Sequence, residues 1–420
     1  MKDETKCLHA GYTPKNGEPR VLPIVQSTTY VYESAAEVAG IFDDPTKGLC
    51  YSRFANPTVM AVEEKIAALE GGVGAMCTSS GQAASLLSIL NLCNAGDSFL
   101  AAAEIYGGTV NLFTHTLKKL GIECIYIEKG MTDEEIDALF KPNTKAVFGE
   151  TIANPALTVL DIERYANIAH RHGVPLIVDN TFATPVLCKP FDFGADIVIH
   201  STTKYMDGHA VQGGGIIVDS GKFDWTNGNF PDFTEPDVTY HGISYTETYG
   251  KAAYIIKARM QLMRDFGAYP AAHSAFLLNL GLETLALRME RYCENALKVA
   301  KYFEQSDKIE SVTYPGLESD ENHALAEKYL KGSSGVISIV IKGGRDNAVK
   351  FMDSLKLASN EVHVADIRTC VLHPASETHR QLSDEQLVLA GIEPGMVRFS
   401  VGLENVDDII EDIEQALANI

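Results

Sequence analysis

The chain has 420 residues, of which 45% are hydrophobic and 22% charged, and its formal net charge is −21. That length exceeds one compact core and suits two domains, and the composition is that of a globular protein. So acidic a surface repels nucleic-acid phosphates and anionic lipid, which excludes nucleic-acid and membrane-surface functions. Residues 1–17 lack the apolar core of a secretory leader, and no run reaches the ~18 apolar residues of a spanning helix. The eight cysteines are scattered, with no CxxC pair and no Cys/His cluster at zinc spacing. This predicts free thiols in a reducing cytoplasm and no metal site.

Residues 1–58 carry little helical period and many Pro, Thr and Tyr, the texture of an extended arm. An apolar-periodic helix is predicted from Val59 to Leu69, closed by Gly71-Gly72. Seven apolar runs follow: Gly74–Cys77, Ser98–Ala103, Ile122–Ile127, Lys145–Gly149, Val174–Asp179, Asp196–His200 and Gly214–Val218. Between them lie the helical patterns Gln82–Cys93, Thr109–Leu120, Asp133–Phe140 and Ile162–His172. Buried strands alternating with helices predict an α/β domain over 59–265 with a mainly parallel seven-stranded sheet. Phe230 to Tyr245, within an insertion at 228–245, is long enough to suggest a functional loop. From about 266 the texture changes to a long helix (Leu282–Phe303), strands at Val336–Ile341 and Val397–Val401, and a final amphipathic helix (Val406–Leu417). This predicts a smaller α+β domain over 266–420.

Ligands of open α/β sheets sit at the carboxyl ends of strands, and several such ends carry chemistry here. Val174–Asp179 is an apolar strand ending in an acid, which is costly to bury unless it faces a charged partner. Taken alone, Asp179 fits a helix cap equally well. The next strand runs into Ser201-Thr202-Thr203-Lys204, so neighbouring strand ends can present an acid and a lysine to one pocket. Such a lysine can form a Schiff base with an aldehyde, and pyridoxal phosphate (PLP) needs that lysine plus an acid to keep its ring nitrogen protonated. Taken alone, Lys204 also fits a solvent-exposed loop lysine, although Gly213-Gly214-Gly215 indicates a loop held tightly against other backbone. Ser201 and Thr203 offer hydroxyls to a phosphate. The run Thr78-Ser79-Ser80-Gly81-Gln82 leads into a helix and forms either an anion-binding N-terminus or an ordinary Ser cap. It lacks the GxxxxGK[ST] pattern of nucleotide triphosphate loops. Tyr106 can stack on a flat heteroaromatic ring or simply pack. Arg398 can grip a carboxylate with its planar fork or face outward from a strand, and Arg53 lies in the arm, where no core requires it.

The stretch Ser201-Thr202-Thr203-Lys204-Tyr205-Met206-Asp207-Gly208-His209 resembles the lysine signature of the Cys/Met-metabolism PLP enzymes. The resemblance runs nearly end to end. It includes Tyr51-Ser52-Arg53-Phe54-Ala55-Asn56-Pro57-Thr58, Ser79-Ser80-Gly81-Gln82-Ala83, Tyr106-Gly107-Gly108-Thr109, Asp179-Asn180-Thr181 and His373-Pro374-Ala375-Ser376. It implies a type I PLP-dependent transferase fold, similar to aspartate aminotransferase, in a homotetramer of tight dimers. It also implies a catalytic set of Lys204, Tyr106, Asp179 and Tyr51. Lys204 would hold PLP as an imine, Asp179 would pair with the pyridine nitrogen and Tyr106 would stack on the ring. The backbone of Gly81 and Gln82, with the hydroxyls of Ser201 and Thr203, would hold the phosphate. Tyr51 and Arg53 would reach the phosphate of the neighbouring subunit. Arg398, with Asn154 and Thr369, would bind the substrate carboxylate.

Within the family, Phe230-Pro231-Asp232-Phe233-Thr234-Glu235-Pro236-Asp237, Tyr240-His241-Gly242 and Phe148-Gly149-Glu150-Thr151-Ile152-Ala153-Asn154-Pro155 are similar to the O-acetylhomoserine sulfhydrylase branch. So is the run from Arg259 to Pro270. Methionine γ-lyases usually carry a cysteine two residues after the stacking tyrosine, where this chain has Gly108. Gln82 stands where other branches often have Met. The implied reaction replaces the acetoxy group of O-acetyl-L-homoserine by sulfide or a small thiol, releasing acetate. The alternatives are a γ-lyase or cystathionine γ-synthase of the same family, and a non-catalytic homologue.

Overall fold

The computed structural model describes residues 1–378, Arg380 and 392–420, with Pro45 described in its backbone alone. Seven short segments pair into one sheet: β1 (Gly74–Thr78), β2 (Ser98–Ala102), β3 (Glu123–Ile127), β4 (Thr144–Glu150), β5 (Leu176–Asp179), β6 (Ile197–His200) and β7 (Gly215–Asp219). Their order is β1-β7-β6-β5-β4-β2-β3. The run from β3 through β2, β4 and β5 to β6 is parallel, whereas β7 lies antiparallel to both β6 and β1. Every residue of β2, β6 and β7 is buried. Strands covered on both faces have no solvent side, which is why they read as unbroken apolar runs. Phe99 on β2, Phe113 and Phe148 on β4 meet edge to face, with centroids 4.8 and 5.0 Å apart, and tie the strands to the intervening helix.

The helices that frame the sheet start and stop on local signals. α1 (Asp3–His9) and α2 (Ala35–Asp43) lie in the arm, where the sequence suggested only extended chain. The correction has a tertiary cause: α1 buries a single residue, Cys7, and Lys6 Nζ donates to Ala68 O (2.8 Å) at the end of α3 (Pro57–Glu70). So short a helix is held by its neighbour and leaves little trace in hydrophobic period. α3 is capped by the Asn56 side chain, has Pro57 in its first turn, and ends at Gly71 with φ +85°, a conformation that favours glycine. α4 (Gly81–Leu90) begins at Ser80, whose hydroxyl accepts from Ala83 N.

Two further helical expectations change. The pattern Thr109–Leu120 widens into a π-helical segment at Leu112–Thr116. The long helix expected over Leu282–Phe303 is two, Ala272–Glu283 and Leu285–Gln305, separated at Thr284. The second sheet contains β8 (Ile309–Thr313), β9 (Val336–Ile341), β10 (Ser359–Asn360), β11 (Cys370–Leu372) and β12 (Met396–Ser400), ordered β10-β11-β12-β9-β8. Helix Val406–Leu417 forms as expected and packs on Leu285–Gln305.

The segment 228–245 folds over an aromatic cluster, with Trp225 stacked on Phe233 at 4.6 Å and on Tyr254 at 5.3 Å. Its Asp237 carboxylate accepts from Tyr245, Thr239 and Gln261, each at 2.7 Å. Among the described residues no helix is long and apolar enough to cross a membrane.

Candidate active site

Parallel pairing brings the carboxyl ends of β4, β5 and β6 to one edge, where Glu150, Asp179 and His200 end their strands. A cavity of about 240 Å³ opens there. Lys204, Asp179, Tyr106, Gly81, Gln82, Ser201, Thr203, Asn154 and Arg398 all line it. Nine residues from six separate stretches of chain thus converge at one site.

Lys204 follows β6 in a turn that begins at Ser201, with Lys204 N donating to Ser201 O (3.2 Å). Burial lowers its ammonium to about 8, and the nearby Arg398 charge acts in the same direction. Roughly a fifth of the amine is therefore neutral near physiological pH, far more than for an ordinary lysine, and this is the form that attacks a carbonyl or takes a proton. Asp179 Oδ1 accepts from Thr181 N (3.0 Å) and also from the Thr181 hydroxyl. Burial raises the Asp179 carboxyl, while the Thr181 hydrogen bonds and the charge of His200 oppose that rise. A ring-nitrogen cation in the cavity would meet a carboxylate already oriented by two donors.

Opposite these groups, helix α4 points its first turn at the loop after β6. A Cβ built on Gly81 would lie 2.6 Å from Ser201 Cβ and 2.9 Å from Ser201 Cα. Only glycine lets the helix N-terminus and the Ser201 turn approach so closely, and the resulting cradle of N–H groups beside a serine hydroxyl suits a phosphate. Thr203 Oγ1 both donates to Gly214 O (3.2 Å) and accepts from Gly214 N (3.0 Å), so it braces the glycine run while lining the cavity. Tyr106 is 49% exposed at the mouth, its ring free on the cavity side. A Cβ on Gly108 would come within 2.5 Å of the Tyr106 ring and 2.9 Å of Gln82 Nε2, so the glycine leaves space for both side chains.

Arg398 on β12 closes the far wall. Its Nη1 donates to Asn154 Oδ1 (3.1 Å) and its Nη2 to His363 O (3.1 Å), while its buried Nε has no partner among the described residues. A buried guanidinium on the wall of a cavity suits an incoming carboxylate. These residues together fit PLP and an amino acid: an amine, an acid for the ring nitrogen, a stacking ring, an anion cradle and a carboxylate grip.

Three residues expected at the site do not line the cavity. Thr369 is corrected: its hydroxyl donates to Glu404 Oε2 (2.9 Å) and accepts from Gly402 N (2.9 Å), which leaves it engaged inside the second domain. Tyr51 and Arg53 stay in the arm, the Arg53 guanidinium resting 5.2 Å from the Tyr51 ring centroid. Nor does the insertion 228–245 contribute a lining residue. Of the nine lining residues not expected at the site, two act directly on the acid at the end of β5. Thr181 orients Asp179 through a turn signalled by Asp-x-Thr. Glu150 ends an apolar strand in an acid, the same signal that marked Asp179. Burial, then the Asp179 charge, pushes Glu150 well above the ordinary carboxylate range.

Comparison with known proteins agrees with this geometry. The model of the Cys/Met metabolism PLP-dependent enzymes matches residues 4–418. The chain belongs to this family. It is similar to the O-acetyl-L-homoserine sulfhydrylase of Leptospira meyeri, with 44% identity covering 100% of this chain and 97% of that one. It is 46% identical to the homocysteine synthase of Schizosaccharomyces pombe, covering 99% and 97% of the two chains. A crystal structure of a putative O-acetylhomoserine (thiol)-lyase from Campylobacter jejuni superimposes with a TM-score of 0.94 at 36% identity over the full length of both chains. That protein carries N'-pyridoxyl-lysine-5'-monophosphate. As a member of the Cys/Met-metabolism family, the present chain is a PLP-dependent enzyme with the α/β fold of its relatives.

Proposed function

We propose that the chain catalyses γ-replacement on O-acetyl-L-homoserine, exchanging acetate for sulfide or a small thiol to give homocysteine or methionine. The observation that carries this proposal is the convergence of Lys204, Asp179, Tyr106 and Arg398 on one cavity, in a chain 44% identical over its full length to an O-acetyl-L-homoserine sulfhydrylase.

PLP supplies an electron sink for the pair left on the substrate's α carbon. Lys204 would hold it, and the neutral Lys204 amine would take the α proton and carry protons along the substrate chain. Asp179 keeps the ring nitrogen protonated, and Tyr106 stacks against the ring. The N–H groups of Gly81 and Gln82, with the hydroxyls of Ser201 and Thr203, hold the phosphate. Arg398 and Asn154 fix the substrate carboxylate, orienting the bonds to be broken. Gly108 leaves room beside Tyr106 for the Gln82 side chain, and it places no thiol there, as the lyase branch would.

The arm suits a part in a second site: we propose that Tyr51 and Arg53 reach the cofactor phosphate of a neighbouring subunit within a homotetramer of dimers. The chain is proposed to work in the cytoplasm, organised as an arm (1–58), a cofactor-binding domain (59–265) and a C-terminal domain (266–420). Steady-state rates test the activity. With O-acetylhomoserine and sulfide, acetate and homocysteine should appear in equal amounts. Without thiol, little ammonia should form, and rapid ammonia release would instead identify a γ-lyase.

A further inference from the structure

Glu150 is a second buried carboxyl in the cavity, and the chemistry above gives it no task. It is only 6% exposed. Its strand β4 pairs with β5 so that Glu150 lies directly opposite Asp179. Register partners point to the same face of a sheet, and both side chains line the cavity. Glu150 Oε1 accepts the backbone N–H of Tyr106 at 2.7 Å. The backbone N–H of Asn154 lies near the same carboxyl and favours its charged form. Asn154 in turn receives Arg398 Nη1 on its side-chain oxygen, at 3.1 Å. One carboxyl therefore binds the loop that carries the stacking ring and lies close to the loop that carries the carboxylate grip.

We propose that Glu150 is a positioning residue that fixes the distance between the ring platform at Tyr106 and the substrate-carboxylate site at Asn154 and Arg398. Two carboxylates side by side in a closed cavity do not both ionise readily. Asp179 has the Thr181 hydroxyl and N–H on one oxygen and will face a ring cation, so it keeps the charge. Glu150 then holds the proton and acts through its carbonyl oxygen. An amide can replace a neutral acid in that task, whereas an apolar side chain cannot.

The inference rests on the proposed amino-acid substrate class, and its test uses the PLP-loaded enzyme. Glu150→Met keeps the volume and removes the acceptor. It should raise KM for the amino-acid substrate about tenfold, the effect of one lost hydrogen bond of ordinary strength, and leave KM for sulfide within about twofold. Glu150→Gln should recover most of the loss. Should Glu150→Met not fold, Glu150→Ala, which leaves room for water, is read in the same way. Equal changes in both KM values, or a Gln variant as impaired as the Met variant, would overturn the proposal. A second measurement separates this from failure of the functional proposal. The concentration of L-methionine that half-saturates the change in the cofactor's visible spectrum should rise about tenfold in Glu150→Met, even if the wild type does not turn over O-acetylhomoserine. An unchanged value there would also overturn it.

Discussion

Glu150 and Asp179 are register partners on adjacent parallel strands, and both line the same buried cavity. Paired acids of this kind are expensive in a hydrophobic protein interior unless a cation or a proton joins them. Here the fold holds them beside a half-buried lysine with a neutral tendency and a buried arginine with an unused donor. The site is thus prepared for a cationic ring and an anionic carboxylate.

The first consequence concerns Lys204. In the cofactor-free protein its amine loses its proton near pH 8, well below an ordinary lysine. The reactive fraction therefore rises through pH 7 to 9 and levels off above about 9. Carbamoylation by cyanate, followed at the Lys204 peptide by mass spectrometry, should show a half-maximal rate constant near pH 8. An ordinary exposed lysine should still be accelerating beyond pH 9.

Gly81 bears on cofactor affinity. A methyl group there must push against Ser201 Cβ at 2.6 Å and Ser201 backbone Cα at 2.9 Å, which opens the anion cradle. Gly81→Ala should weaken PLP binding at least tenfold, measured by equilibrium dialysis, with little change in circular dichroism.

Arg398→Lys should raise KM for the amino acid by about 10- to 100-fold, since charge-assisted hydrogen bonds contribute roughly 1.5–3 kcal/mol and an ammonium cannot copy the planar fork. KM for sulfide should hardly move. Equal effects on the two substrates would remove Arg398 from the carboxylate site.

A stability prediction lies at the opposite end of the sheet. Asp219 ends β7, and burial raises its carboxyl to about 7, opposed by N–H donors from Gly221 and Ile255. Its folded value lies above the unfolded value near 4. Between these limits the folded state binds the extra proton, so stability falls as pH rises, and the full penalty is present above about 7. Asp219→Asn, which keeps an acceptor for Gly221 N and cannot ionise, should raise Tm at pH 8 by an amount that shrinks steadily towards pH 5. A constant difference across that range would show that Asp219 pays no ionisation penalty in the fold.

Much of this was visible in the chain itself because the informative residues sit where two patterns meet. β5 and β6 are short apolar runs that end in Asp-Asn and in the Ser-Thr-Thr-Lys turn, so strand period and chemistry marked the same positions. Helix Val406–Leu417 formed within its expected limits because half of it is buried, which imposes a clear 3.6-residue period. Helix α1 was invisible for the converse reason: it buries only Cys7 and depends on contacts made 60 residues away. Thr369 was misplaced because its hydroxyl partner, Glu404, comes from a distant loop that no local pattern announces. Glu150 carried the same signal as Asp179, yet its role depends on backbone N–H groups of Tyr106 and Asn154, which sequence cannot place.

The covalent anchor is the central claim, and peptide mapping after borohydride reduction of the purified holoenzyme tests it most directly. The account predicts a single pyridoxyl adduct on the peptide bearing Lys204, absent from Lys204→Ala, which should also lose activity. An adduct on another lysine, or a Lys204→Ala enzyme that keeps both the adduct and turnover, would contradict it.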